Sequence, residues 1–78
     1  MAEVLLLGPA RQAAGASRCD IDADTVGAVC DMLVERFGAG FAAVLGTSRI
    51  WVDGRPAAST DAVHADAEVS ILPPVSGG

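Results

Sequence analysis

The six residues Pro73-Pro74-Val75-Ser76-Gly77-Gly78 are the part of this chain best suited to chemistry. Two prolines cannot continue a strand and favour extended polyproline geometry, so the residues after them project from the body. Val75 and Ser76 have little bulk. Gly77 and Gly78 lack a Cβ, so their backbone fits a channel too narrow for any side chain. The expected working group is the carboxylate of Gly78, at the tip of a thin arm with a stiff base. A carboxylate placed there can be activated as an acyl group inside another protein. Two terminal glycines alone arise by chance in roughly one chain in 200 at ordinary usage. The weight therefore comes from the diproline and from the strand in front of it.

Other residues of reactive type form no comparable group. Cys19 and Cys30 are too few for a disulfide scaffold or an all-cysteine zinc site, and the single histidine, His64, does not complete one. Both cysteines fall at inward positions of a strand and a helix and are expected to be buried small hydrophobes. A nucleophilic thiol needs an activating base, and His64 lies in a polar connection far along the chain. Asp20, Asp22 and Asp24 alternate, but two belong to the solvent face of a strand and one to a helix cap. Gly38-Ala39-Gly40 lacks the lysine and strand context of a phosphate loop. No metal site is expected.

Seventy-eight residues allow one domain with a modest core and no enclosed cofactor cleft beside it. Hydrophobic residues make up 51% of the chain and mean hydropathy is +0.44, too apolar for disorder. No apolar run approaches the about 18 residues of a membrane span. The first residues lack a basic segment ahead of their apolar run, so no signal peptide is expected and the expected location is cytoplasmic. The formal net charge is −5, and all five basic residues are arginine. Such a balance repels phosphate backbones and disfavours nucleic acid, while favouring protein partners with basic surfaces. Without lysine, no side-chain amine is available for an isopeptide bond.

The elements that must position the tail are legible in order. Glu3 to Leu7 reads as a central strand, ended by Gly8-Pro9, and Ala10 to Ala14 as a short helix. Arg18 to Asp22 alternates polar and apolar, as a half-buried strand does. Asp24 or Thr25 can cap a helix whose apolar stripe is Val26, Val29, Cys30, Leu33, Val34 and Phe37, ended by Gly38. Phe41 to Leu45 reads as a second short helix. Arg49 to Val52 is a strand, Asp53-Gly54 a two-residue hairpin turn, and Pro56 confines the returning strand to an edge. Ser59 to Ala67 reads as a connection and Glu68 to Leu72 as the last strand. A hairpin, a helix laid across it and further strands is the order of a β-grasp domain. The expected class is α+β, ubiquitin-like, with a mixed sheet of about five strands and one main helix. Residues 1–72 form the domain and residues 73–78 the extended tail.

The segment Glu68-Val69-Ser70-Ile71-Leu72-Pro73-Pro74-Val75-Ser76-Gly77-Gly78 resembles the C-terminus of the small subunits of molybdopterin synthase, ubiquitin-like sulfur carriers ending in Gly-Gly. Val4 to Gly15 is similar to that family's opening strand and short helix, and Val52-Asp53-Gly54 stands at its middle hairpin. Gly8-Pro9 departs from the bulkier residue usual there. The resemblance implies that an adenylyltransferase like the ubiquitin-activating enzymes binds the tail and uses ATP to convert Gly78 to an acyl-adenylate. A sulfurtransferase then supplies sulfur, giving a thiocarboxylate, and the carrier docks on the molybdopterin synthase large subunit to build a dithiolene. Gly77, Ser76, Val75, Pro74 and Pro73 are then the passage of the tail. The chain binds no cofactor stably, since ATP belongs to the partner. The resemblance also implies a chain that is monomeric alone and assembles two-plus-two with the large subunit. Other readings are a carrier for thiazole or amino-acid synthesis, a ubiquitin-like protein modifier, and a non-catalytic interaction module.

A docking surface follows from strand parity alone. If Val4, Leu6, Ile50, Val52, Val69 and Ile71 face the helix, then Leu5, Leu7, Trp51 and Leu72 face the other way, where the helix cannot cover them. Four large apolar side chains there form a candidate partner interface.

Overall fold

The computed structural model describes residues 1–74. Five strands and three helices follow one another as β1 (Ala2–Leu6), α1 (Pro9–Ala14), β2 (Arg18–Ile21), α2 (Val26–Phe37), α3 (Ala39–Leu45), β3 (Arg49–Val52), β4 (Arg55–Pro56) and β5 (Glu68–Leu72). The strands form one mixed sheet in the order β2-β1-β5-β3-β4. β1 pairs antiparallel with β2 and parallel with β5, and β3 pairs antiparallel with β5 and β4. This is the expected ubiquitin-like β-grasp arrangement. β1 is interior as expected, but the middle of the sheet is β5.

Register explains the core. Val4 stands opposite Val69, which stands opposite Val52. Leu6 stands opposite Ile71, which stands opposite Ile50. Val4, Leu6, Val69 and Ile71 are fully buried, and Ile50 and Val52 pack half-buried at the margin of the same core. From α2, Val26, Val29 and Leu33 fill the other side, at the spacing that keeps one helical face on the sheet. No helix among the described residues is long and apolar enough to cross a membrane.

The N-terminus of α2 is capped by two separate segments. Thr25, rather than Asp24, is the cap: its Oγ1 accepts from the Ala28 N–H at 3.1 Å. The Val26 and Gly27 N–H groups donate to the carbonyls of Asp61 and Ser59, at 3.0 and 2.8 Å. The connection between β4 and β5 thus supplies acceptors that a helix end lacks within itself. Its Val63 and Ala67 are buried in the core. A Cβ on Gly27 would lie 3.1 Å from the Ser59 carbonyl oxygen, so any larger residue would press the connection outward by a few tenths of an ångström. Thr25→Ala should destabilise the domain by about 1 kcal/mol. On a domain this small that is a fall of roughly 4–8 °C in melting temperature. An unchanged melting curve would mean that the connection, not the threonine, carries the cap.

The β3–β4 turn is the expected one. Asp53 and Gly54 both have positive φ, 50° and 81°, as a two-residue hairpin requires. The Asp53 carboxylate also accepts from the Glu68 N–H at 2.9 Å, tying the turn to the start of β5. β4 is a two-residue edge strand containing Pro56, as the proline predicts.

Candidate functional site

The tail leaves the sheet beside the end of β1, because β1 and β5 run parallel as neighbours. The Leu7 N–H still donates to the Ile71 carbonyl at 3.1 Å, one residue beyond β1. The chain then turns sharply at Gly8, whose φ of 56° and ψ of −128° lie where only glycine is unstrained. Pro9 follows as the first residue of α1, a position that needs no N–H. An ideal Cβ on Gly8 would sit in ordinary contact with the Pro73 ring, 3.5 Å from its Cγ, so the ring lies beside the Gly8 turn with space for one carbon between them. The base of the tail lies next to the turn between β1 and α1. Pro73 and Pro74 are exposed and lie outside β5, as expected. Val75, Ser76, Gly77 and Gly78 lie outside the described residues.

The parity inferred for the other face of the sheet holds. Leu5 stands opposite Ser70, which stands opposite Trp51, and Leu72 stands opposite Arg49. Leu5, Trp51 and Leu72 are half-buried, and Leu7 is 41% exposed. The buried stripe of α2 and the fully buried Phe41 of α3 belong to the core on the opposite side of the sheet. The open face is therefore apolar at its middle and towards the tail, with Ser70 between Leu5 and Trp51.

Charge is graded along that face. At the end far from the tail, Asp20, Glu3 and Glu68 form one cross-strand row. In the next row Arg18 flanks Leu5, and Arg49 flanks Leu72 beside the tail exit. Arg18 reaches back to Glu3 at 3.3 Å, both groups well exposed. A chain of net charge −5 thus presents arginine nearest the tail. Sequence reasoning missed the two arginines as part of this surface. The signal was available, since Arg49 shares the parity of Trp51 within one strand.

The cysteines are half-buried, not buried as expected, and both are free thiols. Burial pushes the Cys19 thiol above its usual pKa, against an opposing pull from the Arg36 guanidinium beside it. Burial, and then the Asp31 carboxylate, push the Cys30 thiol up as well. Cys30 lines an open cleft of about 450 Å³ between α2 and the β3–β4 margin. Both thiols are held in the protonated form at neutral pH, which is a poor nucleophile. His64 is exposed. Among the described residues, no three side chains of metal-ligating type come together.

The sequence profile of the ThiS family matches residues 4–78. The chain belongs to the ThiS family. No curated protein sequence matches it. Among solved structures, SAMP1 from Haloferax volcanii is 33% identical over 99% of this chain and 98% of its own, with a TM-score of 0.78. A putative molybdopterin converting factor subunit 1 from Pyrococcus furiosus is 20% identical over 95% of this chain and 97% of its own, with a TM-score of 0.85. A complex of subunits 1 and 2 of the molybdopterin-converting factor from Helicobacter pylori contains a chain 24% identical, covering 99% of this one and 97% of its own, with a TM-score of 0.74. The last two likenesses establish the shared fold. ThiS-family membership, with the β-grasp sheet, makes this a ubiquitin-like chain of the sulfur-carrier and modifier class.

Proposed function

We propose that this ThiS-family chain is a sulfur carrier for the dithiolene of molybdopterin, working through the carboxylate of Gly78. The observation that carries the reading is the family match extending through residue 78, onto a tail whose base is seated at the margin where β5 ends. A carboxylate is a poor acyl donor. Its attack on the α-phosphate of ATP, within an adenylyltransferase like the ubiquitin-activating enzymes, expels pyrophosphate and leaves an acyl-adenylate. A sulfur nucleophile from a sulfurtransferase then displaces AMP. If that nucleophile is a persulfide, the product is an acyl disulfide, and a second thiol cleaves its S–S bond to release the thiocarboxylate. The thin arm next carries the thiocarboxylate into the active site of the large subunit. The chain itself supplies no catalytic side chain, and ATP binds on the partner.

The open face is the surface we assign to the large subunit, with Leu5, Leu7, Trp51 and Leu72 as its apolar part and Arg18 and Arg49 at its rim. A partner of matching chemistry has an apolar patch with carboxylates beside the channel for the tail. Trp51→Glu should leave the melting temperature within a few degrees of the parent and weaken binding to the large subunit by about 2 kcal/mol or more, a thirtyfold rise in Kd. A Trp51→Glu protein that unfolds would instead place Trp51 in the core and remove it from the surface.

The test of the carrier reading is intact mass after incubation with ATP, an activating enzyme and a sulfur donor. Exchange of one terminal oxygen for sulfur, placed on Gly78 by fragmentation and trapped by alkylation of the thioacid, supports it. Adding the pyranopterin substrate and the large subunit then decides the pathway. A terminus that stays a carboxylate while a known carrier charges would overturn it. One observation favours a second reading: the 33% identity is to a small archaeal modifier protein. In that reading Gly78 ends on a lysine of another protein, and Gly78-linked conjugates would appear in place of the thiocarboxylate. The chain has no lysine, so it builds no chains on its own side chains.

A further inference from the structure

The two edges of the sheet are finished differently. β4 is two residues long, and its Pro56 has no N–H to offer. β2, at the other edge, runs from Arg18 to Ile21 and among the described residues pairs only with β1. The Leu6 N–H donates to the Ser17 carbonyl at 2.9 Å, which fixes the alternation along this pair. Cys19 and Ile21 therefore exchange hydrogen bonds with β1, and the N–H and C=O groups of Arg18 and Asp20 point outward. Among the described residues these outward groups have no backbone partner.

An open edge is ordinarily protected by charges that repel a second copy. β2 has the reverse arrangement, with Arg18 and Asp20 placed symmetrically about Cys19. Laid antiparallel on itself about a two-fold axis at Cys19, β2 sets Arg18 opposite Asp20 of the second copy, twice over. These are the residues with outward backbone groups, so each pair also exchanges two backbone hydrogen bonds. Both side chains of each pair lie on the open face. On the helix side Cys19 meets Cys19 in a non-hydrogen-bonded pair, where Cα atoms approach to about 4.5 Å. Arg36 lies beside Cys19, and one turn before it Met32 is a large apolar side chain left 38% exposed.

We propose that the free chain pairs with a second copy of itself through β2, extending the sheet across a two-fold axis at Cys19. This departs from the monomer that the family resemblance implies. The pairing is weak and reversible, because the shared edge is short. It leaves the Gly8–Pro73 seat of the tail uncovered, so charging remains compatible with it.

Sedimentation velocity from micromolar to millimolar concentration should show the average mass rising above 7.8 kDa. Arg18→Asp and Asp20→Arg each set like charges opposite one another twice, and each should weaken association about tenfold or more. The double exchange should restore it. Melting curves of all three variants confirm that each is folded, since Arg18 also pairs with Glu3. A second measurement uses the oxidant diamide, which takes one hydrogen from each of two thiols as they join in a disulfide. In a Cys30→Ser background, covalent dimers through Cys19 should form about tenfold faster than dimers through Cys30 in a Cys19→Ser background. A mass that stays at the monomer value across the range would overturn the pairing. So would an association that Arg18→Asp leaves unchanged, or a double exchange that fails to restore it.

Discussion

Deleting Gly78 is expected to reduce charging of the tail more than about a hundredfold and to leave the melting temperature where it was. The shortened chain still ends in glycine and still carries a carboxylate, so neither acidity nor bulk changes at the tip. What changes is reach, by about 3.5 Å. A reacting carboxylate must come within about 3–3.5 Å of the phosphorus it attacks, and a shortfall of one residue removes it from that range. The base of the arm cannot slide forward to compensate. The Leu7 N–H holds the Ile71 carbonyl just behind Pro73, which lies beside the Gly8 turn. Stability should be untouched, because the buried part of β5 ends at Ile71. The measurement is intact mass after timed incubation with ATP, activating enzyme and sulfur donor, beside a thermal melt of the same sample. Charging at the parent rate would mean that the length of the arm is not what the activating enzyme reads.

The largest effect on stability is expected at Phe41. It is the largest fully buried side chain, and it sits on α3, a helix of only seven residues. Its ring lies 5.3 Å from that of Phe37 at 46°, so one residue joins the end of α2 to the core under α3. Phe41→Ala should cost about 3–5 kcal/mol, from lost burial plus the cavity left behind. A domain of this length has a total stability of roughly 4–12 kcal/mol. The variant should therefore melt roughly 20 °C lower or be largely unfolded at ordinary temperature. Phe41→Leu, which keeps most of the volume, should recover most of the difference. A drop of less than about 5 °C for the alanine variant would mean that α3 collapses into the space or is dispensable to the core.

Local signals carried much of this fold in the sequence. The α2 stripe, the Asp53-Gly54 turn, the edge strand at Pro56 and the parity of β1, β3 and β5 each depend on neighbours a few residues away. Phe41, Val63 and Ala67 were not legible as core. Phe41 falls just past the glycine that ends the α2 pattern, and the other two lie in a stretch of small and polar residues with no period. Backbone bonds tie the stretch around Val63 to Asp24, Thr25 and Val26, and the Ala67 carbonyl to the Glu3 N–H, all distant in sequence. The choice of Thr25 over Asp24 as cap was open for a related reason, because both residue types suit the position and only the path of the chain selects one. The site divides in the same way. The diproline and diglycine announce themselves by composition, whereas the nearness of Pro73 to Gly8 requires two distant parts of the chain to meet. Cys19 has inward parity as read, but at an edge strand parity does not secure burial.

The position of β5 also bears on how the protein is made. It is the middle strand of the sheet and follows every other element in the chain. Until the ribosome has released residues 68–72, the β1–β2 and β3–β4 pairs have nothing to join them, and the apolar faces of α2 and α3 have only part of a sheet to cover. The sheet can then close only once β5 has been made, and a nascent chain cut short before β5 lacks the strand that joins its two halves. A folded copy has therefore been translated as far as the exit of the tail.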